Sequence, residues 1–205
     1  MKISKKLNYI SFILVFFSSC VSMPTWQLVK EADLKFNNLN LNINNIPKDW
    51  LVFNTVGYNN HICALCFKNE ITLLLTKDHP DLNYIIIGQF NIKNKLLPLN
   101  KNLDSSQSLL EIAMDLSNNF SKLYFCQKYK LIQVDFVKFV GKDGFRIMSS
   151  FKNPDGLSYR LLVYGTIIDN YLYTAKVMAP TYYYFNDILP DFEKLVSNIT
   201  YKKNK

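Results

Sequence analysis

Residues 131–179 constrain the fold more than any other part of the chain. An apolar run at 131–140 leads into the turn sequence Gly141-Lys142-Asp143-Gly144. "FRIMSSF" at 145–151 leads into Asn153-Pro154-Asp155-Gly156, and "LSYRLLVYGTII" at 157–168 into Asp169-Asn170. A fourth run, "YLYTAKVMA" at 171–179, stops at Pro180. Parallel neighbours need a crossover of a dozen residues or more, whereas these connections suit hairpins. The pattern predicts four strands in an antiparallel meander.

The stripe Phe185, Ile188, Leu189, Phe192, Leu195, Val196 and Ile199 predicts a helix over 182–199. Pro190 lies inside it and is expected to kink or split it. A second helix is predicted over 105–122. Leu109, Ile112, Ala113, Leu116 and Phe120 share its apolar face, and Ser108-x-x-Glu111 has the form of a capping box. Upstream, Leu39, Leu41 and Ile43 alternate with Asn as a half-buried strand does. Pro47 breaks that strand, and another starts at Trp50–Phe53. "HICALCF" (61–67) and "ITLLLT" (71–76) read as a hairpin through Lys68-Asn69-Glu70, and 82–90 as a strand. Residues 91–104, polar and aperiodic, read as a loop. A chain of 205 residues, 49% hydrophobic, has room for one such domain. We assign it to residues 32–200, followed by a basic tail at 201–205. The fold class is α+β, an antiparallel sheet flanked by helices.

The order of parts resembles the PsbP-like superfamily. The residues that carry the resemblance are "NNIPKDW" after the early strand and "GFRIMSSFKNPDGLSYRLLVYGTIIDNYLYTAKVMAP" (144–180). An apolar C-terminal helix with Ser197 near its end completes it. That superfamily includes extrinsic proteins of photosystem II, a eukaryotic Ran-binding factor and many bacterial lipoproteins. The resemblance implies an α/β/α sandwich that binds partners and does not catalyse. It transfers no functional residue, because Gly144, Gly156 and Pro180 match as turn and connection residues.

The first 19 residues follow the grammar of a signal peptide. Lys2, Lys5 and Lys6 are followed by the nine-residue apolar core "YISFILVFF", too short to span a bilayer. Ser18 and Ser19 then precede Cys20. This resembles a bacterial lipobox, with Phe17 where an aliphatic residue is usual. The resemblance implies diacylglycerol transfer to Cys20, cleavage between Ser19 and Cys20, and acylation of the new amino terminus. Several acyl chains exceed the two signals that stable anchoring requires. Val21 stands where many retained inner-membrane lipoproteins carry Asp, so the outer membrane is the expected destination, with the domain in the periplasm. Residues 20–31 are read as the lipidated start and spacer.

The formal charge is +8, three units of which precede Cys20, and the remainder is spread along the chain. Nucleic-acid binding would concentrate Lys and Arg on one face, so no nucleic-acid partner is expected. After lipidation of Cys20, three thiols remain: Cys63, Cys66 and Cys126. Residues three apart in a strand point to opposite faces. Any disulfide is therefore expected to join Cys126 to Cys63 or Cys66, leaving one buried thiol. His61-x-Cys63-x-x-Cys66 lacks the C-x-x-C-H order of a haem site and a second pair of zinc ligands. His79, in "DHPD", sits in a turn whose carboxylates satisfy backbone amides. No catalytic motif is found, and no metal or cofactor is expected.

Tyr171, Tyr173, Tyr182 and Tyr183 are candidates for a partner or ligand surface, since tyrosine offers area with a polar tip. Helical spacing offers the other reading, in which some of these rings pack in the core. The expected function is that of a lipid-anchored, non-enzymatic envelope domain that binds or scaffolds another envelope protein. A carrier with a small apolar ligand between sheet and C-terminal helix is the alternative, and a thiol-redox enzyme the third.

Overall fold

The computed structural model describes residues 26–28, 39–44, 46, 50–53, 65–67, 70–77 and 83–202. In chain order the elements are β1 (Trp26–Leu28), β2 (Leu41–Ile43), β3 (Leu51–Phe53), β4 (Ile71–Thr76), β5 (Tyr84–Asn91), β6 (Lys95–Leu96) and β7 (Lys101–Asn102). Next come α1 (Leu109–Ser121), β8 (Gln127–Phe139), β9 (Lys142–Lys152), β10 (Ser158–Ile168), β11 (Tyr171–Pro180), α2 (Tyr184–Ser197) and β12 (Ile199–Tyr201).

The meander forms because its connections supply the left-handed conformations that two-residue hairpins need. Asp169 and Asn170 close β10 onto β11 with φ of 49° and 63°. Val140 and Gly141 close β8 onto β9 with φ of 48° and 79°. The β8–β9 connection lies earlier than the sequence predicts, so β9 already starts at Lys142. Val140 is a β-branched residue in a region where such residues are outliers.

The meander is half of an eight-stranded antiparallel sheet in the order β1-β3-β4-β5-β11-β10-β9-β8. Strands β5 and β11 lie at its centre and are apolar on both faces, as the run Ile85-Ile86-Ile87 requires. One face packs against α2 through Trp50, Phe139, Phe185, Ile188 and Phe192. The other packs against α1 through Phe90, Ile112, Leu116, Phe120 and Phe145. The result is an α/β/α sandwich, each large buried side chain contributing roughly 1.5–3 kcal/mol of burial.

Helix α1 starts as predicted. Ser108 Oγ accepts the Glu111 N–H, and the Glu111 carboxylate accepts the Ser108 N–H at 2.8 Å. Helix α2 runs through Pro190 as a single element. Pro190 and Asn186, whose carbonyl loses its helical donor, are both solvent-exposed, so water can satisfy that carbonyl. The helix ends at Ser197, not 199. The chain then turns at Asn198 and adds Ile199–Tyr201 to β2 as β12.

Three other elements differ from expectation. Leu65–Phe67 is not a strand, and β4 pairs with β3 and β5 instead. The groups Phe67 would offer to a ladder are used locally: its N–H reaches the Glu70 carboxylate at 2.7 Å and its carbonyl accepts the Glu70 N–H at 2.9 Å. The loop at 91–104 contains the short hairpin β6–β7. Asn119 pins that hairpin to α1, bonding the Leu97 carbonyl and the Leu99 N–H, and Lys101 meets Asp115 at 2.6 Å. Trp26–Leu28, within the expected spacer, is an edge strand on β3.

Candidate functional site

Ser19, Cys20, Cys63, His61 and His79 lie outside the described residues. Of the other two cysteines, Cys66 is disulfide-bonded and Cys126 is a free, buried thiol. The expected bridge through Cys126 is therefore corrected, and the partner of Cys66 lies outside the described residues. Cys126 sits between α1 and β8 in the α1-side core, where burial pushes its thiol pKa up to about 12. At neutral pH it is an uncharged thiol. The strand argument behind the expected pairing also fails for Cys66, because its segment is not extended in the sheet.

The four tyrosines do not make one surface. Tyr173 is wholly buried in the α2-side core, where burial raises its pKa to about 12. Tyr171 is half-buried at the start of β11. Tyr182 and Tyr183 lie beyond the other end of that strand, with their side chains 82% and 78% exposed. Tyr183 sits at φ 71°, ψ −67°, and the Tyr184 N–H donates to the Tyr182 carbonyl at 2.9 Å. That is a strained γ-turn. Among the described residues no open groove lies between sheet and α2, since Phe185, Ile188, Phe192 and Leu195 fill that space at 0–2% exposure.

The centre of the sheet holds a charge cluster that the sequence did not reveal. Thr174, Gly88 and Thr72 align across β11, β5 and β4. The Glu70 carboxylate lies over Gly88, where a Cβ would overlap its Oε1. Glycine is needed here for close approach. Lys176 Nζ donates to Glu70 Oε1 at 2.7 Å, to Oε2 at 2.9 Å and to the Leu65 carbonyl at 3.1 Å. It also stands 4.1 Å from the centroid of the Phe67 ring. Thr174 Oγ1 donates to Glu70 at 3.2 Å. Desolvation lowers the Lys176 pKa, and Glu70 opposes that shift. Each of the three ammonium protons has an acceptor, and both side chains are 0% exposed. No group in the cluster is left to meet a substrate. It is a clasp that fastens Leu65–Glu70 onto the sheet. A lysine inside "YLYTAKVMA" signals that a buried carboxylate must be near. Nothing in the spacing says which one.

Helix α2 is held from both sides. Lys77 meets Asp191 at 3.2 Å and Asp187 at 3.6 Å. On the other flank, Arg146 meets Glu193 at 3.4 Å and Asp135 at 3.3 Å, with its guanidinium 5.9 Å from the centroid of the Tyr164 ring. No strand among the described residues pairs with the outer edge of β8, one of the two edges of the sheet. It is 13 residues long, with Ile132 49% and Phe136 65% exposed. Beside it Leu109, Phe136, Val137, Lys138, Asp143 and Gly144 bound a shallow depression of about 450 Å³.

No family model and no curated protein sequence matches the chain. Solved structures do. The solution structure of the cyanobacterial PsbP protein CyanoP from Synechocystis aligns with a TM-score of 0.53 at 12% identity, covering 89% of this chain and 95% of that one. The fold is PsbP-like. Two weaker likenesses are LpqN of Mycobacterium tuberculosis, involved in cell envelope biogenesis, and the Ran-binding protein Mog1p of Saccharomyces cerevisiae. LpqN has a TM-score of 0.47 at 10% identity, covering 78% of this chain and 82% of that one. Mog1p has 0.42 at 9%, covering 88% and 97%. The PsbP-like core accounts for the large antiparallel sheet and the two helices that sandwich it.

Proposed function

We propose that the protein is a lipid-anchored envelope lipoprotein whose PsbP-like domain binds or scaffolds another envelope protein and catalyses no reaction. The observation that carries this reading is Cys20 at the end of a signal-like segment, with five residues between it and the first strand. At roughly 3.5 Å per residue, the six steps from Cys20 to Trp26 span at most about 20 Å. A domain tethered there stays close to the bilayer, with its β1 edge nearest the attachment point. The opposite edge, β8, is seven strand spacings away, about 34 Å at roughly 4.8 Å each. The outer membrane is the destination that Val21 favours, with the domain in the periplasm.

A binding role is supported by how the molecule uses its charges. The most deeply buried pair satisfies itself, and Tyr124, Phe136, Tyr182 and Tyr183 are the most exposed of the large apolar side chains among the described residues. The carrier reading loses its support, because side chains fill the space between sheet and α2. Metabolic labelling with palmitate tests the anchor. Wild-type protein takes up label and Cys20→Ala does not; equal labelling of both removes the tether. In-cell crosslinking followed by identification of the captured envelope protein tests the binding role.

A further inference from the structure

We infer that Cys66 is bridged to Cys63, so that a disulfide closes Cys63-Ala64-Leu65-Cys66 beside the Lys176 clasp. The chain has four cysteines. Cys66 is bonded and Cys126 is a free thiol, which leaves Cys20 and Cys63 as partners. Two independent arguments select Cys63. Leu65 lies in a turn, and Cys66 follows directly after it. The first and fourth residues of a β-turn have Cα atoms within about 7 Å, and a disulfide needs roughly 4.4–6.8 Å. A four-residue turn that ends at Cys66 begins at Cys63. The second argument rests on the reading of Cys20 as the lipidated residue. A sulfur held in a thioether to diacylglycerol cannot also form a disulfide.

The bridge forms by thiol–disulfide exchange. The two thiols give up two protons and two electrons to a protein disulfide of the envelope, whose sulfurs leave as thiols. Cys66 is half-buried, so such a reagent can reach it. Its neighbours on both sides belong to the clasp: the Leu65 carbonyl accepts from Lys176 Nζ at 3.1 Å, and the Phe67 ring centroid lies 4.1 Å from the same ammonium. Closing a loop of four residues restricts the unfolded chain and shifts the unfolding equilibrium about twentyfold. Breaking a buried ion pair shifts it by a factor of about a hundred or more. The bridge therefore supports the clasp, and its reduction leaves Lys176 on Glu70.

The test takes the native chain from its cells, with free thiols blocked by N-ethylmaleimide before lysis, and weighs its tryptic peptides with and without a reductant. Residues 49–68 form one such peptide and contain both cysteines. Without reductant it carries no maleimide and is lighter by two hydrogens than its reduced form; after reduction it takes up two labels. A peptide 49–68 joined to the Cys20 peptide overturns both the bridge and the anchor. One joined to the Cys126 peptide, or one labelled before reduction, overturns the bridge alone. An internal bridge beside an unlipidated Cys20 supports the bridge and removes the anchor. In purified variants, Cys63→Ser opens Cys66 to maleimide in the folded protein, and Cys20→Ala leaves Cys66 protected. Cys63→Ser shifts the unfolding equilibrium about twentyfold, and adding Cys66→Ser shifts it no further. A Cys66 that stays unlabelled in Cys63→Ser contradicts the pairing.

Discussion

Lys176 meets Glu70 at 2.7 Å in the middle of the sheet, and Lys138 meets Asp143 at 2.6 Å at its outer edge. The first pair is 0% exposed on both sides, the second 74% and 77%. Distance alone does not separate them, but burial does. The central pair has lost its water and is held by Leu65, Phe67 and Thr174, so neither charge can leave. The edge pair keeps its water and can exchange partners. The centre of the molecule therefore uses charge to fix the fold, and its rim keeps its charges in water.

The sharpest way to break this contrast is to remove one partner at the centre. Lys176→Met leaves a buried carboxylate unpaired and should cost about 3–5 kcal/mol in urea unfolding. Adding Glu70→Leu should restore part of that loss, because the stranded charge is gone. A single variant within about 0.5 kcal/mol of wild type would contradict the clasp. Next in size is Gly88→Ala, whose methyl group displaces the Glu70 carboxylate. The cost should be about 1–3 kcal/mol, smaller when combined with Glu70→Ala.

Lys77, between Asp191 and Asp187, is the intermediate case. Partial desolvation lowers its pKa, but the two aspartates outweigh it and hold the value above the ordinary 10.5. Its contribution is thus present below pH 10.5 and lost as pH rises through the folded value. Lys77→Met should cost up to about 1 kcal/mol at neutral pH, and the difference from wild type should shrink above pH 10.5. Smallest of all, Lys138→Ala should change stability by no more than about 0.5 kcal/mol. A larger loss would mean that the edge pair is structural, like the central one.

The same contrast explains what could be read from the residues alone. The meander was legible because Asp169-Asn170 and Gly141 announce their turns, and α1 because Ser108 and Glu111 cap each other within one turn. Ion pairs were not, because Glu70 and Lys176 are 106 positions apart and no spacing rule links them. Ile199 fits the apolar stripe of α2 equally well as a strand residue, so the start of β12 was read as helix. Tyr173 and Tyr182 look alike in sequence, and only their places on β11 and beyond it separate core from surface. The edge of β8 was hidden for a similar reason. Its alternation is that of any half-buried strand, and only the strand order shows that no strand among the described residues lies beyond it.

The central claim is that Cys20 ties this domain to a bilayer and leaves β8 facing outward. Intact-mass measurement of the native chain extracted from membranes addresses it most directly. The account predicts a polypeptide that begins at Cys20 and carries the added mass of a diacylglyceryl group and an amide-linked acyl chain. A chain with an unmodified amino terminus, or one cleaved at another residue, would contradict it.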